Sequence, residues 1–402
     1  MAEADSPLAR QFHDLAAMLA RWQDLWRPAP FHEPRPAWCG DYPDLAEALL
    51  GLSEARAVAL SADGEALIDW LKAWIPALGA LHGLTRLPEV QHPVRLPPSR
   101  LLAHVPGRKQ EQIRAFAEAV GPVAHPLLEW CAGKGHLGRL MAWRHGQPVA
   151  SLEINGQLVA DGQALARRAG MPQTYLCADA LTPMAHTHLA GRHVLALHAC
   201  GDMHGVLLRE AVARRVPALD VSPCCYYRIA SPRYVPFCSD AGLDLSRDEL
   251  HLAVTETVTA GGRDRRRAAI AMAWKLAFLE WRAGQGVDRK VTFPPVPDAW
   301  LGLGFDVWMA RLCAREGLVS PPADQGEALE KTGWERRARV MRYDLVRFAF
   351  RRALELWLVL DRAVYLERAG YTVAVKTFCS RETSPRNLLI QARLKPDLNS
   401  GH

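Results

Sequence analysis

The sequence predicts an α/β protein with a Rossmann-like, doubly wound parallel sheet, and three observations support this fold class. From Gln110 onward, short apolar runs alternate with segments of helical periodicity, a pattern typical of parallel βαβ units. A glycine-rich turn, at Gly133 and Gly135, follows the first apolar run. Two alternating apolar segments near residue 390 predict an antiparallel hairpin. Ligands of such sheets bind beyond the carboxyl ends of the strands, which is where we expect the site.

Residues 1–100 are predicted to form a helical N-terminal region. Apolar residues between Leu8 and Trp26 recur at helical spacing, and proline-rich breaks follow at Pro28–Pro36 and Pro93–Pro98. The spacing favours helices packed on an apolar core. The second break predicts a linker to the sheet.

The sheet is predicted within residues 101–260 and 336–402, and residues 261–335 are interpreted as a helical insertion rich in proline and glycine. A helix over Gln110–Val120 comes before the first strand, and Glu335–Ala369 predicts one long helix or two. The seven predicted strands are Leu127–Trp130, Val149–Ile154, Thr174–Cys177, His193–Leu197, Ala218–Val221, Tyr371–Phe378 and Asn387–Leu394.

Length and composition restrict the class of protein. The 402 residues are 49% hydrophobic, which is enough for an α/β domain and a second region. The sequence shows no signal-peptide pattern and no apolar run of about 18 residues. We therefore expect a cytoplasmic protein without membrane association, whose nine cysteines are reduced.

Charge is unevenly distributed along the chain. From Gly261 onward there are 25 Lys and Arg against 16 Asp and Glu, whereas the preceding residues carry a small negative charge. A basic C-terminal third suits an anionic partner such as RNA, more than a protein. Arginines on solvated helix faces would produce the same count, and the sequence leaves both interpretations open.

The glycine-rich turn is followed by two acidic residues in the positions that a nucleoside ligand requires. Glycine lets such a ligand approach the backbone, because it has no Cβ and tolerates positive φ. Glu153 ends the second predicted strand, where its carboxylate can accept hydrogen bonds from both ribose hydroxyls. Asp179 follows the third strand, where it can bind an adenine amino group. The three features together predict a nucleoside-containing cofactor.

Two cofactors fit this pattern, S-adenosylmethionine and NAD. An NAD-dependent oxidoreductase normally has a fuller three-glycine turn for the pyrophosphate, and here only Gly138 could supply the third glycine. The turn also opens with the acidic Glu129, which suits the ammonium of a methyl donor better than a pyrophosphate. We therefore favour S-adenosylmethionine and keep NAD as a minor alternative.

Several ordered motifs resemble a group of methyltransferase-like proteins. The group includes the ribosomal RNA adenine dimethylase domain-containing and glutathione S-transferase C-terminal domain-containing proteins, and the acceptor-stem tRNA 2′-O-methyltransferase is similar at a greater distance. The resemblance covers about residues 105–395. The motifs that carry it are Arg108-Lys109-Gln110-Glu111-Gln112-Ile113, Gly133-Lys134-Gly135-His136-Leu137, His198-Ala199-Cys200-Gly201-Asp202-Met203-His204, Ser222-Pro223-Cys224-Cys225-Tyr226, Leu358-Val359-Leu360-Asp361-Arg362 and Ser384-Pro385-Arg386-Asn387.

The resemblance implies a class I methyltransferase sheet of seven strands that uses S-adenosylmethionine and acts on RNA, or alternatively on a protein of the translation apparatus. The cofactor-binding residues that it implies are Glu129, Gly133, Gly135, Leu137, Glu153, Asp179 and His198. Two positions depart from the pattern. Cys131 replaces the first glycine of the turn, so we expect ordinary backbone dihedrals there. Tyr227 replaces a histidine found in some relatives, at a position whose side chain is expected to face the acceptor, so the substrate of this chain is expected to differ from theirs.

The ends of the fourth and fifth strands are predicted to flank the methyl acceptor. Methyl transfer is an in-line displacement, so the protein must mainly align the acceptor and exclude water. The predicted catalytic residues are Asp202, Cys224, Cys225 and Tyr226, with the Tyr226 ring stacking on a planar acceptor.

Four cysteines, Cys200, Cys224, Cys225 and Cys379, are expected near the same strand ends. We interpret them as small packing residues and assign no metal. A zinc site and a cysteine nucleophile are the alternatives. Because the Pro-Cys-Cys-Tyr turn is unusual, a non-catalytic protein that binds the cofactor and partners an active subunit is the second functional hypothesis.

Overall fold

The computed structural model describes residues 6–90, 97–98, 101–102, 105–255, 261–293 and 295–396. The α-helices are α1 (Pro7–Arg21), α2 (Gln23–Trp26), α3 (Trp38–Asp41), α4 (Pro43–Leu50), α5 (Glu54–Ala62), α6 (Gly64–Leu71), α7 (Ala80–Leu84), α8 (Gly107–Val120), α9 (His136–His145), α10 (Gly156–Ala169), α11 (Pro183–His186), α12 (Asp202–Ala213), α13 (Arg247–Leu252), α14 (Gly262–Gly284), α15 (Phe305–Glu316), α16 (Gly326–Phe348) and α17 (Arg351–Arg368). Short 3₁₀ helices cover Pro76–Gly79, Asp298–Leu303 and Ala323–Gln325.

A single seven-stranded sheet has the order β3-β2-β1-β4-β5-β7-β6. Strands β1 to β5 pair in parallel, and β7 lies antiparallel between β5 and β6. The predicted fold class is therefore confirmed, including the closing antiparallel hairpin. The strands are β1 (Leu127–Trp130), β2 (Val149–Glu153), β3 (Gln173–Cys177), β4 (His193–Cys200), β5 (Ala218–Cys224), β6 (Tyr371–Thr377) and β7 (Leu388–Leu394).

The chain divides into two compact units, each assembled from separate stretches of sequence. The sheet unit comprises residues 1–21, 83–255 and 351–402, and the helical unit comprises residues 22–82 and 256–350. The first helix thus belongs with the sheet, and its Phe12 ring stacks on Trp357 of α17 at 5.5 Å. The boundaries expected from the sequence stay a prediction.

The sheet unit has its core between the strands and the helices beside the glycine turn. β1 is buried along its whole length, as expected of a central parallel strand with helices on both faces. Ile113 and Phe116 of α8 pack with Leu140 and Met141 of α9 in one apolar cluster, which also includes Leu127. This packing fixes α9, and with it the turn that leads into α9.

A buried polar network joins three strands at the other end of the sheet. Asp220 on β5 is fully buried, and its carboxylate lies 2.5 Å from His193 Nε2 on β4. The same carboxylate accepts hydrogen bonds from Gln391 Nε2 at 2.6 Å and Arg393 Nη2 at 2.8 Å, both on β7. Because a buried carboxylate requires such partners, this network favours the observed pairing of β7 with β5.

The helical unit uses many of its arginines for internal contacts. Arg336 of α16 pairs with Glu280 of α14 at 3.2 Å, while Arg342 and Arg347 donate to the carbonyl oxygens of Leu52 and Trp26. These guanidinium groups satisfy backbone acceptors and are not displayed to a partner. Part of the positive charge in the C-terminal third is therefore structural.

Close packing of α14 against α16 depends on Gly333. A Cβ at this position would lie 2.3 Å from the Ala273 carbonyl oxygen, which no real side chain tolerates. No helix in the described ranges is both long and apolar enough to cross a membrane.

Candidate functional site

The turn between β1 and α9 combines three residues with positive φ. Gly133 and Gly135 have φ of 56° and 62°, and Cys131 has φ of 56°. The expectation of ordinary dihedrals at Cys131 was therefore wrong. A non-glycine residue in this region carries a strain of about 1–2 kcal/mol, which the surrounding structure must offset. The Ala132 amide helps to do so by donating to the Leu152 carbonyl oxygen at 2.9 Å.

The two glycines of the turn differ in their surroundings. A Cβ on Gly135 would lie 2.2 Å from the Tyr175 hydroxyl oxygen, so this glycine permits close packing against β3. A Cβ on Gly133 would meet no atom within 4 Å. Gly133 therefore borders open space with its backbone accessible, and the turn fits a ligand that approaches the main chain closely.

Glu153 and Asp179 lie at the carboxyl ends of β2 and β3, and both are partly exposed. Glu153 accepts hydrogen bonds from the Gly133 amide at 2.8 Å and the Asn155 amide at 3.0 Å, so its carboxylate lies against the turn. Asp179 accepts from the Leu181 amide at 2.9 Å. Both acids lie near the Cys131 thiol of the turn. Burial raises the pKa of this thiol to about 12, and the negative charges of Glu153, Cys200 and Asp179 add to the effect. The three predicted cofactor features thus converge on one edge of the sheet.

Glu129 lies beneath the turn and not in the open space beside it. Its side chain is 4% exposed and accepts a hydrogen bond from the Ser151 hydroxyl at 2.7 Å. Burial raises the pKa of the Glu129 carboxyl to about 7, against the smaller opposing effects of Ser151, the Gly138 amide, Arg139 and Lys109. A Cβ on Gly138 would lie 2.5 Å from the Glu129 carboxylate. This placement gives Glu129 a supporting position, in contrast to the direct contact with the ammonium predicted from the sequence.

The buried Glu129 carboxyl should make stability depend on pH. A folded-state pKa near 7, against 4.5 for the free side chain, means that the native protein keeps a proton that the unfolded chain releases. The contribution of this group to the free energy of unfolding is then fully present below about pH 4.5. It decreases by on the order of 3 kcal/mol as the pH rises to about 7. We expect Glu129→Gln to remove this dependence in thermal unfolding measured from pH 4.5 to 7.5. Glu111→Gln, at an exposed position on α8, is the control and should unfold with the wild-type pH profile.

Leu137, the last cofactor-binding residue predicted in this turn, is 3% exposed and packs in the apolar cluster of α8 and α9. Its side chain therefore helps to place the helix, and only its backbone belongs to the turn. His136, beside it, has a pKa lowered to about 4 by burial and is neutral.

The end of β4 connects three of the sequence motifs. His198 has φ of 69° and lies at a register shift of the β4–β5 pairing. Its Nε2 lies 2.6 Å from the Gln112 Nε2 of α8, which donates at 2.9 Å to the Ser384 hydroxyl before β7. Burial lowers the pKa of His198 to about 4, so Nε2 is an acceptor for the Gln112 amide. His198 is thus held in place, and its predicted contact with the cofactor remains a prediction.

Gly201 and Asp202 tie the start of α12 to the loop that follows β5. The Gly201 amide donates to the Cys224 carbonyl oxygen at 3.2 Å, and the Asp202 amide donates to the Arg228 carbonyl oxygen at 3.1 Å. The Asp202 carboxylate also accepts from the Ala230 amide at 2.7 Å. Asp202 therefore holds the shape of this loop, and its predicted catalytic role is not tested by this geometry.

Three of the four cysteines expected together are brought together. The Cys200 and Cys224 sulfurs are 3.2 Å apart, and with Cys225 all three lie within 4.8 Å of one another. Cys224 is buried, whereas Cys200 and Cys225 are partly exposed. A hydrogen bond from Cys224 lowers the pKa of Cys225 to about 5. Cys379 instead packs against the α8–α9 cluster.

Tyr226, for which a stacking role was predicted, is buried in the structure. Its ring is 1% exposed, with the Arg362 guanidinium 5.2 Å from its centre and the His204 ring at 5.9 Å. A ring with so little exposed surface offers an acceptor little on which to stack, and the predicted role stays a prediction. Tyr227, the next residue, is partly exposed and lies 4.7 Å from the His251 ring. Tyr227 is therefore the aromatic residue of this turn that an acceptor could reach.

Asp361 and Arg362, the late-helix motif, support the same loop from α17. Asp361 is fully buried and accepts from the Phe237 amide at 2.9 Å and the Cys238 amide at 2.8 Å. Arg362 donates to the Tyr234 hydroxyl at 2.9 Å. This motif is structural and holds the segment after β5 against α17.

Sequence reasoning missed Gln112 as a residue of the site, whereas it expected Tyr227 to face the acceptor. Gln112 is 7% exposed on the inward face of α8, among apolar neighbours. A polar residue at a core position of an amphipathic helix was the signal that could have identified it. The signal for Tyr227 was its departure from the histidine that some relatives carry at this position.

The fold and the turn define the class of this protein. A seven-stranded sheet with one antiparallel strand, a glycine turn after β1 and acids after β2 and β3 form the fold of a class I methyltransferase domain. Residues 108–232 match the family model described as "Methyltransferase domain", which covers the turn, both acids and the β4 and β5 ends. This match supports the methyl-donor prediction over the NAD alternative.

Solved structures similar to this chain include a geranyl diphosphate methyltransferase in complex with GPP and sinefungin, at 17% identity, over 36% of this chain and 59% of that one, with a TM-score of 0.25. An O-methyltransferase family protein from Burkholderia thailandensis is 10% identical over 82% of this chain and 71% of its own, with a TM-score of 0.32. The chain thus spans about three fifths of the first of these structures.

Proposed function

We propose that this chain transfers a methyl group from S-adenosylmethionine to an RNA. The methyl transfer rests on the turn at Gly133 with its two acids, and the choice of RNA rests on one observation. Arg263, Arg265, Arg266 and Arg267 at the start of α14 are all exposed. Arg336, Arg342 and Arg347 serve the interior of the helical unit, whereas this run is a cluster of exposed arginines within one helical turn of the basic C-terminal third.

Clustered exposed arginines favour a polyanion. Guanidinium groups bind phosphate oxygens in a bidentate manner, and several on one helix turn give affinity without reading sequence. Asp264 is the one acid within the run. Of the class's acceptors, RNA suits this charge better than a neutral small molecule.

The residues of the sheet unit would hold the cofactor and order the acceptor. The cofactor supplies an electrophilic methyl group on a sulfonium. Glu153 and Asp179 offer carboxylate oxygens to ribose hydroxyls and the adenine amino group, and Gly133 leaves the backbone open. The loop fixed by Asp202 and Asp361 presents Tyr227 as a surface for a planar acceptor.

Removing part of the arginine run should weaken RNA binding and its dependence on salt. We expect Arg265→Ala/Arg266→Ala to bind a structured RNA about tenfold more weakly, with a salt slope reduced by about 1.5 to 2. Arg167→Ala/Arg168→Ala is the matched control, since it removes an adjacent exposed pair from α10. Fluorescence anisotropy over a series of salt concentrations measures both. Equal losses in the two double variants would contradict a specific basic surface.

Activity is tested by transfer of labelled methyl groups to total RNA and to ribosomal proteins from a deletion strain. Incorporation into RNA supports the proposal, and incorporation only into protein overturns the choice of acceptor. Binding of S-adenosylhomocysteine without incorporation into either would favour a non-catalytic partner subunit.

A further inference from the structure

We propose that Cys200, Cys224 and Cys225 form a three-thiolate zinc site at the carboxyl ends of β4 and β5. This site goes beyond the sequence prediction, which assigned no metal, and it does not depend on RNA being the acceptor.

The three sulfurs lie close enough together to bind one tetrahedral zinc ion after small adjustments. Zinc binds thiolates at about 2.3 Å, which places sulfurs of a tetrahedral site about 3.8 Å apart. In the structure the Cys200 and Cys224 sulfurs are 3.2 Å apart, and all three lie within 4.8 Å of one another. Rotations about the side-chain torsions would bring the three sulfurs to similar distances from one ion.

The backbone is bent so that these thiols converge. Successive residues of a strand point to opposite faces, so the neighbours Cys224 and Cys225 would normally diverge. Cys225 has φ of 45°, which breaks this alternation. On the facing strand, His198 has φ of 69° at the register shift that brings Cys200 opposite Cys224. Two non-glycine residues with strained backbone dihedrals thus lie next to the three thiols, and strain of this kind is concentrated at functional sites.

The chemistry of the ligands favours zinc. Thiolates select soft or borderline ions, of which zinc is the common one without redox activity. Three protein ligands leave a fourth position, as in zinc sites that exchange a water or a substrate atom. Since Cys224 is buried and the other two thiols are partly exposed, the fourth position lies on the side of Cys200 and Cys225.

Cys131 is a neighbouring thiol that provides a matched control. Its sulfur lies 3.5 Å from the Met203 sulfur, outside the cluster of three. If removing any thiol from this edge of the sheet lowered zinc affinity, Cys131→Ser would lower it too. If zinc affinity depends on the three ligands alone, Cys131→Ser should leave it unchanged.

The test is metal content of the full-length protein, purified under reducing conditions and supplied with zinc or cobalt. We expect about one zinc per chain by mass spectrometry, and a sulfur-to-cobalt charge-transfer band with tetrahedral d–d bands for the cobalt form. Cys200→Ser and Cys225→Ser should each lower zinc affinity at least tenfold in a chelator competition, while Cys131→Ser keeps the wild-type affinity.

Circular dichroism and calorimetry with S-adenosylhomocysteine show whether each variant is folded, and they separate failure of the metal site from failure of the methyltransferase proposal. Absence of bound zinc and of the cobalt bands in folded wild-type protein would overturn the inference. So would a Cys200–Cys224 disulfide that persists in the reduced preparation, or equal zinc loss in Cys131→Ser.

Discussion

Glu153→Gln is expected to weaken binding of S-adenosylhomocysteine by about 100- to 1,000-fold. The carboxylate can accept two charge-assisted hydrogen bonds from the ribose, each contributing about 1.5–3 kcal/mol. It also accepts from the Gly133 and Asn155 amides, and glutamine offers only one acceptor oxygen for these partners. The variant therefore loses contacts to the ligand and part of the support of the turn. Isothermal titration calorimetry measures the effect.

Asp161→Asn is the matched control for the loss of charge. Asp161 on α10 forms an ion pair with Lys134 of the same turn at 2.8 Å, on the protein surface. An exposed pair contributes little, so we expect an affinity within about twofold of the wild type. If Asp161→Asn weakened binding as much as Glu153→Gln, both losses would be explained by the removal of a negative charge near the turn. Glu153 would then not be the ribose ligand.

Gly201→Ala should destabilise the sheet unit by more than about 3 kcal/mol. The residue has φ of 54°, and a Cβ there would lie 1.8 Å from the Arg228 carbonyl oxygen. That oxygen accepts a hydrogen bond from the Asp202 amide, so the main chain on both sides must move. For a unit of this size the change corresponds to a decrease in Tm of about 6–12 °C.

Gly170→Ala separates the backbone strain from the steric clash. Gly170 has φ of 64°, and a Cβ there would meet no atom within 4 Å. We expect a cost of only about 1–2 kcal/mol from the dihedral alone. Thermal unfolding of both variants measures the difference, and equal shifts in Tm would show that contact with Arg228 is not what requires glycine at position 201.

Most of the strands could be predicted from the sequence because buried parallel strands consist of short apolar runs. β1 has the bounds predicted for it, and β7 differs by one residue. β4 was predicted to end at Leu197 but continues to Cys200, because a strand that passes through a register shift at His198 no longer shows an apolar pattern.

The orientation of the site residues was harder to predict. Tyr226 and Tyr227 differ in exposure because Cys225 has positive φ, and no alternation rule anticipates that turn of the backbone. The burial of Glu129 depends on Ser151, which reaches it only through the pairing of β1 with β2. Both are properties of tertiary structure, whereas the acids at Glu153 and Asp179 followed from strand ends alone.

The count of basic residues was an incomplete guide to the surface. Arg282 of α14 is 2% exposed and donates to the Val291 carbonyl oxygen, so it adds charge to the sequence without adding it to the surface. Only the folded structure distinguishes such arginines from the exposed run at Arg263–Arg267.

The position of β7 between β5 and β6 has a consequence for how the chain is made. During synthesis β1 to β5 emerge well before residues 388–394, and until then β5 presents an unpaired edge. The Ser384 contact with Gln112 is equally late, because it joins residues 272 positions apart. A nascent chain can therefore form most of the cofactor turn early, but it completes the β4 end only after Ser384 has left the ribosome.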